Sequence, residues 1–409
     1  MTMQLADATA ELDVRSADER AAIEAAEASA IVIWRGDRLA YRDVPARIEA
    51  IPGRAARNAL SDAYQEAVAA INPLRERWYG ARVAAARQLG FDDVAALHEA
   101  TSGYRLDELA AEVQRFVFES ETVYFAALRR YLALIDIELG DASEADVAYI
   151  LRGAGFSAWF DVRDLPRITE RLAADLALSA PAETSTSDAG YAAYAASLRQ
   201  LGTTLAAAGA GGRVADPALP EGAGLLFERL LLSDSWLEHG LGIPDEEVPV
   251  VADFLAFGAL YRLRREAAML FYEQRLHRGE EATLARAYYS GTIGLLTGTL
   301  APESDYLAGI GDGFKSATGF RASSLAGALR TAVEAKHGLG WWREPAAGEM
   351  LHQVLGNGAA LRADDVVAQL GYNRLDWRPV LRQLRTQLIG EMSGYGGPNI
   401  TTRAGTRKV

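Results

Sequence analysis

A helical pattern runs from about Arg54 almost to the end of the 409 residues, and it constrains the fold more than any other feature. Ala, Leu, Glu and Arg dominate this stretch, and these residue types favour helices. Apolar residues recur at spacings of three and four, which places them on one face of a helix. The pattern therefore predicts a mainly α protein, and the chain is long enough to bury a large core.

One short segment near the N-terminus departs from the helical pattern. Residues 31–34 are β-branched or aromatic, Gly36-Asp37 indicates a turn, and a second short run ends at Tyr41. We therefore predict one small β-hairpin over residues 31–41, and we expect it to be the main β element of the chain.

Two shifts in composition suggest how the chain is divided. Residues 180–190 are small and polar and break the helical pattern, as linkers do. From residue 394 onward, Gly, Pro, Thr and Arg follow no period. We predict an N-terminal helical lobe over 1–190, a C-terminal helical lobe over 191–393 and a loose tail over 394–409.

Composition and charge argue against several classes of protein. The net charge of −13 and the pI of about 5.0 disfavour a surface for nucleic acid or an anionic membrane. The chain has no cysteine, which excludes disulfides, thiolate catalysis and cysteine-bound metals. No signal peptide and no apolar run of membrane-spanning length are visible. We therefore expect a cytoplasmic protein.

Two segments near the middle of the chain carry the residues of greatest functional interest. The first, 197–205, has apolar or Gly residues at Leu198, Leu201, Gly202 and Leu205. The second, 220–228, has Glu221 and Glu228 seven positions apart, which places both carboxylates on one face of a helix.

These segments resemble the zinc site of the M3-type gluzincin peptidases, the oligopeptidase F and thimet oligopeptidase group. In that group one helix carries Leu-His-Glu-Leu-Gly-His-x-Leu, whose two His bind zinc and whose first Glu is the general base. A second helix supplies a Glu as the third ligand. Weaker similarities in the same order cover most of the chain from about 60 to 390. The resemblance implies a two-lobed helical fold with a central cleft for an extended peptide.

The chemical positions of the motif differ from the family. They read Arg199, Gln200 and Thr203. Arg is a permanent cation that repels zinc, Thr is a poor ligand, and Gln cannot take a proton. Glu221 alone would not hold the ion, and the family's later catalytic His and Tyr are not evident in 314–321. We therefore expect neither a metal nor a cofactor.

An arginine at a vacated metal position has a specific structural consequence. We predict that the Arg199 guanidinium replaces the metal and pairs with Glu221, with Glu228 as a further acceptor. The alternative is that Arg199 points to solvent. The predicted ligand-binding residues are Arg199, Thr203, Glu221 and Glu228.

The five histidines show no metal-ligand spacing. We interpret all of them as ordinary surface or helix-capping residues. They are His98, His239, His277, His337 and His352.

The function predicted from these features is that of a pseudo-peptidase. It would bind a peptide, a peptidyl intermediate or another elongated small molecule. A first alternative is a metal-independent enzyme, for example a biosynthetic tailoring enzyme, with Glu221, Glu228, Arg199 and Gln200 as acid/base and oxyanion groups. A second alternative is a metallopeptidase with unorthodox ligands. The oligomeric state stays open.

Overall fold

The computed structural model describes residues 5–179, 190–207, 215–279, 282–311, 313–356 and 361–388, and most of these residues are helical. The α-helices of the first half are α1 (Leu5–Arg15), α2 (Ala17–Ser29), α3 (Val44–Glu49), α4 (Arg54–Gln88), α5 (Val94–Ser102), α6 (Leu106–Ala133), α7 (Glu144–Leu151), α8 (Leu165–Asp175) and α9 (Tyr191–Ala207). Those of the second half are α10 (Ala218–Glu228), α11 (Asp234–His239), α12 (Val248–His277), α13 (Ala282–Thr297), α14 (Lys315–His337), α15 (Pro345–Leu355), α16 (Ala363–Gln369) and α17 (Arg378–Gln387). Short 3₁₀ helices span Tyr41–Asp43, Leu139–Asp141, Ala154–Phe156, Arg229–Leu232, Glu303–Leu307 and Trp341–Arg343.

The predicted hairpin is confirmed. Strands β1 (Ile31–Trp34) and β2 (Asp37–Ala40) pair antiparallel, and they form the only sheet in the described part of the chain. The turn residues Arg35 and Gly36 have φ angles of 54° and 87°. A two-residue hairpin turn needs such positive φ values, which glycine adopts without strain.

Local sequence signals determine some helix ends, whereas tertiary packing overrides the local signal at Pro73. Ser143 is the N-cap of α7 and forms a capping box, and Gly90, at φ 92°, follows α4; serine and glycine favour these positions. Asn72-Pro73 is typical of the first turn of a helix, but no helix begins there, because α4 runs through Pro73. Buried residues on both sides, such as Val68 and Trp78, hold the two halves in one helix despite the lost backbone hydrogen bond.

The chain divides into two compact units, each made of separate stretches of sequence. The first unit comprises the described parts of Met1–Val117, Tyr131–Arg152 and Arg264–Ala317. In it the hairpin packs against α3 and α4, and the buried side chains that join them are Val32, Val44, Ile48 and Leu60. Apolar residues at helical spacing thus form the core that the periodicity predicts.

The second unit comprises the described parts of Phe118–Arg130, Gly153–Leu263 and Thr318–Val409. Helix α9 packs against α8 and, most extensively, against α10. Buried Arg321 of α14 donates to Asp216, at 2.6 Å, and also pairs with Asp364 of α16. These contacts join the helices around α10.

The predicted lobes 1–190 and 191–393 stay a prediction. Most of the predicted linker, residues 180–189, and the whole predicted tail lie outside the described residues. Among the helices that are described, none has an apolar stretch sufficient to cross a membrane.

Candidate functional site

Helices α9 and α10 cross at backbone contact, and glycine makes this possible. A Cβ at Gly202 of α9 would lie 2.1 Å from the carbonyl oxygen of Ala223 of α10. A Cβ at Gly224 of α10 would lie 2.7 Å from Cγ of Arg199 and 2.8 Å from Oγ1 of Thr203. No side chain fits at such distances, so the two glycines set how closely the helices approach.

The helical period of α9 places its apolar and polar residues on different sides. Leu198, Leu201 and Leu205 are buried, whereas Gln200 is exposed. Thr203 Oγ1 donates to the carbonyl oxygen of Arg199, at 3.0 Å. Residues 199 and 203 are one turn apart, and both contact the backbone position of Gly224. The crossing thus brings together the residues that the sequence singled out on α9.

The predicted guanidinium–carboxylate pair forms with the second of the two predicted acceptors. Arg199 Nε donates to Oε2 of Glu228, at 2.7 Å, and its Nη2 contacts the same oxygen. Nη2 of Arg262, on α12, lies 3.7 Å from Oε1 of Glu228. Arg199 thus points towards α10 while keeping part of its side chain in solvent. Glu221, two turns earlier on α10, is half-buried.

Exposure differs sharply within this group of three side chains, which we call the Arg–Glu–Arg cluster (Arg199, Glu228 and Arg262). The Glu228 side chain is 11% exposed, whereas those of Arg199 and Arg262 are 49% and 44% exposed. The glutamate is therefore the buried member of the cluster, and the two arginines are its exposed members. The accessible surface of the cluster therefore belongs mainly to the two arginine side chains, whose N–H groups are hydrogen-bond donors.

The residues of the crossing do not fit the zinc ion that the family resemblance implies. Position 199 carries a permanent cation, and the Glu228 carboxylate is engaged by arginine. The Thr203 hydroxyl donates to a main-chain carbonyl. Within the described ranges, no cluster of three or more His, Asp or Glu side chains is arranged to hold a metal ion. Zinc prefers neutral imidazole and anionic ligands. Arg199 and Thr203 supply neither, and the Glu228 carboxylate already pairs with Arg199.

Buried titratable groups in the first unit are the features that the sequence analysis missed. Glu273 of α12 is fully buried and accepts a hydrogen bond from the hydroxyl of Ser316. Burial raises the pKa of Glu273 to about 8, although the bonds from Ser316 oppose the shift. No pattern in the sequence distinguishes Glu273 from a surface carboxylate, because its neighbour Ser316 is 43 residues away.

His277, four residues after Glu273 on α12, corrects one prediction. It is the last residue of the helix, as expected, but it is 1% exposed and therefore not a surface residue. Its ring packs against those of Tyr79 and Phe314. Burial, together with nearby Arg82, lowers its pKa to about 3, so the imidazole is neutral. His239 and His337 end α11 and α14 as predicted.

The chain is similar in fold to solved peptidase structures. No protein-family model matches it, and no curated protein matches it. A structure of PZ peptidase A with an inhibitor is similar, with a TM-score of 0.64 and 12% identity over 94% of this chain and 79% of that chain. A putative oligoendopeptidase F from Bacillus anthracis has a TM-score of 0.65 and 12% identity over 94% and 77%. The oligoendopeptidase-F of Enterococcus faecium has a TM-score of 0.64 and 13% identity over 92% and 71%.

Proposed function

We propose that this protein binds a peptide, a peptidyl intermediate or another elongated small molecule, and that it does not hydrolyse it with zinc-activated water. The M3 oligoendopeptidase fold is the premise, because the similar oligoendopeptidase F structures share it over most of their length. Arg199, Thr203, Glu221 and Glu228 are the residues proposed to contact the ligand.

The observation that carries the proposal is the ion pair between Arg199 and Glu228. Arg199 stands at the first His position of the family's zinc motif, and Gln200 stands at the position of the general base. A guanidinium supplies donors only, and a carboxamide does not take up a proton. The groups that would activate a water molecule are therefore replaced by groups suited to holding a polar ligand.

Metal content and binding test the proposal together. The protein would be produced in zinc-supplemented medium, and its metal content would be measured by mass spectrometry. We expect far less than one zinc per chain, and no cleavage of a fluorescent peptide mixture with or without added zinc. Binding of the same peptides would be measured by calorimetry, and we expect saturable binding that is unaffected by a chelator.

A matched pair of variants assigns the binding to the crossing. Arg199→Gln is expected to weaken peptide binding. Arg171→Gln is the control, because Arg171 is an exposed arginine of the same unit that also pairs with a carboxylate, that of Asp175. Stoichiometric zinc that is lost on chelation together with peptide cleavage would overturn the proposal in favour of an unorthodox metallopeptidase.

A further inference from the structure

The side chains of the Arg–Glu–Arg cluster differ in exposure, and the proposed function does not by itself require this difference. Its glutamate side chain is largely buried, and both of its arginine side chains are about half exposed. A ligand that approaches from solvent therefore meets N–H donors before it meets the Glu228 oxygens. Such a surface attracts an anion and offers few acceptors to a cation.

The guanidinium of Arg199 is held in place before any ligand arrives. Its Nε and Nη2 both contact Oε2 of Glu228. Its stem lies against the backbone of α10, where the missing side chain of Gly224 leaves the space that Cγ of Arg199 uses. A side chain that is already ordered loses less conformational entropy on binding, which raises affinity.

We propose that the Arg–Glu–Arg cluster binds a carboxylate group of the ligand. The inference rests on the proposed function, and it adds the chemical class of the group that the site recognises. A planar guanidinium matches the two oxygens of a carboxylate, and charge-assisted hydrogen bonds of this kind are stronger than neutral ones. A free peptide C-terminus and an acidic side chain both supply that group.

Two peptide mixtures that differ in a single group test this assignment. One is a set of N-acetylated random pentapeptides without Asp or Glu and with a free C-terminus, and the other is the same set with a C-terminal amide. We expect the acid set to bind at least about tenfold more tightly than the amide set, which corresponds to about 1.4 kcal/mol. A third set contains Asp and Glu and has a C-terminal amide, so its only carboxylates are on side chains. Comparing it with the acid set distinguishes a side-chain carboxylate from a terminal one.

Small anions test the cluster independently of peptides. Succinate and inorganic phosphate would be titrated into protein labelled with ¹⁵N-arginine at constant ionic strength. We expect succinate to shift the Nε–H resonance of Arg199, which is assigned by its loss in Arg199→Gln. A shift with phosphate but not with succinate would replace the carboxylate with a phosphoryl group and overturn the proposal.

Variants of the pair separate binding from folding. Arg199→Lys keeps the charge beside Glu228 but loses the planar fork, so the preference for the acid set is expected to fall while stability is retained. The double variant Arg199→Gln with Glu228→Gln removes both charges and is expected to abolish the preference. Glu221→Gln removes a neighbouring negative charge. If that charge repels the bound carboxylate, the acid set is expected to bind the variant more tightly than the wild type.

The possible results separate the two proposals. If acid and amide sets bind equally in the wild type, the carboxylate assignment is overturned while the binding function stands. If no peptide binds but succinate shifts Arg199, the cluster is an anion site and peptides are excluded as ligands. If neither peptides nor succinate bind, both proposals fail.

Discussion

Two arginine–carboxylate pairs, one in each unit, show what burial does to the same chemistry. Arg57 of α4 and Asp146 of α7 pair at 2.5 Å with side chains that are 1% and 0% exposed. Asp146 also accepts a hydrogen bond from the Ser143 hydroxyl, and Arg57 donates to the carbonyl oxygen of Ile51. The pair of Arg199 and Glu228 keeps its arginine about half exposed. The buried pair of Arg57 and Asp146 can only stabilise the fold, whereas the pair of Arg199 and Glu228 is partly open to solvent.

A third carboxyl extends the comparison. Glu273 is as buried as Asp146, but its hydrogen-bond donor is the hydroxyl of Ser316 and not a guanidinium. Burial would raise the pKa of Asp146 as well, but hydrogen bonds from Arg57 and Ser143 outweigh burial and lower it. Burial prevails at Glu273 and raises its pKa. A partner cation therefore decides which form of a buried carboxyl is stable.

The largest effect is expected from Asp146→Ala. This change leaves the Arg57 guanidinium buried without its carboxylate, which typically costs about 3–5 kcal/mol of unfolding free energy. Urea unfolding monitored by circular dichroism would measure the loss. Asp62→Ala, on the exposed side of α4, is the control and should stay within about 0.5 kcal/mol of the wild type. A loss at Asp146 no larger than this control would contradict the structural role of the buried pair.

The next largest effect is expected from Gly202→Ala at the crossing of α9 and α10. The added methyl group would collide with a backbone carbonyl, so the helices must separate at a cost of about 1–3 kcal/mol. Gly80→Ala in the middle of α4 meets no atom within 4 Å and should stabilise by about 0.5–1 kcal/mol. The melting temperature should therefore fall in Gly202→Ala and rise in Gly80→Ala. Equal shifts would contradict the close backbone contact at Gly202.

A pH effect is expected from Glu273→Gln. The folded-state pKa of about 8 lies above the value near 4.3 in an unfolded chain. Between these values the unfolded state releases a proton that the folded state keeps, so wild-type stability falls as pH rises, by up to about 1.4 kcal/mol per pH unit. Glutamine cannot ionise but still accepts the Ser316 hydrogen bond. Unfolding free energies measured from pH 5 to pH 8 should therefore fall less in the variant, and identical slopes would refute the raised pKa.

The smallest effect is expected from the pair of Arg199 and Glu228, whose arginine is about half exposed. A double-mutant cycle of Arg199→Ala and Glu228→Gln should give a coupling of about 0.5–1 kcal/mol, since exposed arginine pairs are worth little. The melting temperature would be measured at low and high salt, and the coupling should fall as salt rises. A coupling as large as the loss at Asp146 would mean that Arg199 supports the fold as Arg57 does. An unchanged melting temperature in Arg199→Ala would mean that the pair does not replace zinc as a structural element.

The sequence predicts the fold well because the signals for it are local. The hairpin turn at Gly36 and the cap at Ser143 depend on neighbouring residues, and the helices depend on a period of three to four residues. Pro73 is the place where the local signal does not determine the structure. Its local preference is to begin a helix, but packing on both sides of it decides the outcome.

The candidate site was only partly predictable. Arg199 and Glu228 could be placed on facing helices because they lie in segments that resemble known ones. The ion pair between Arg199 and Glu228 depends on how the helices cross, and the spacing of residues along the sequence does not specify this crossing. Burial of Glu273 and His277 depends on contacts with distant parts of the chain, and a single sequence carries no signal for these.

The bare backbone at Gly224 has a consequence for anyone who wishes to redesign the protein. Because no side chain occupies this point, Cγ of Arg199 and Oγ1 of Thr203 lie directly against the backbone of α10. New specificities should be sought by varying those two positions while the glycine stays untouched.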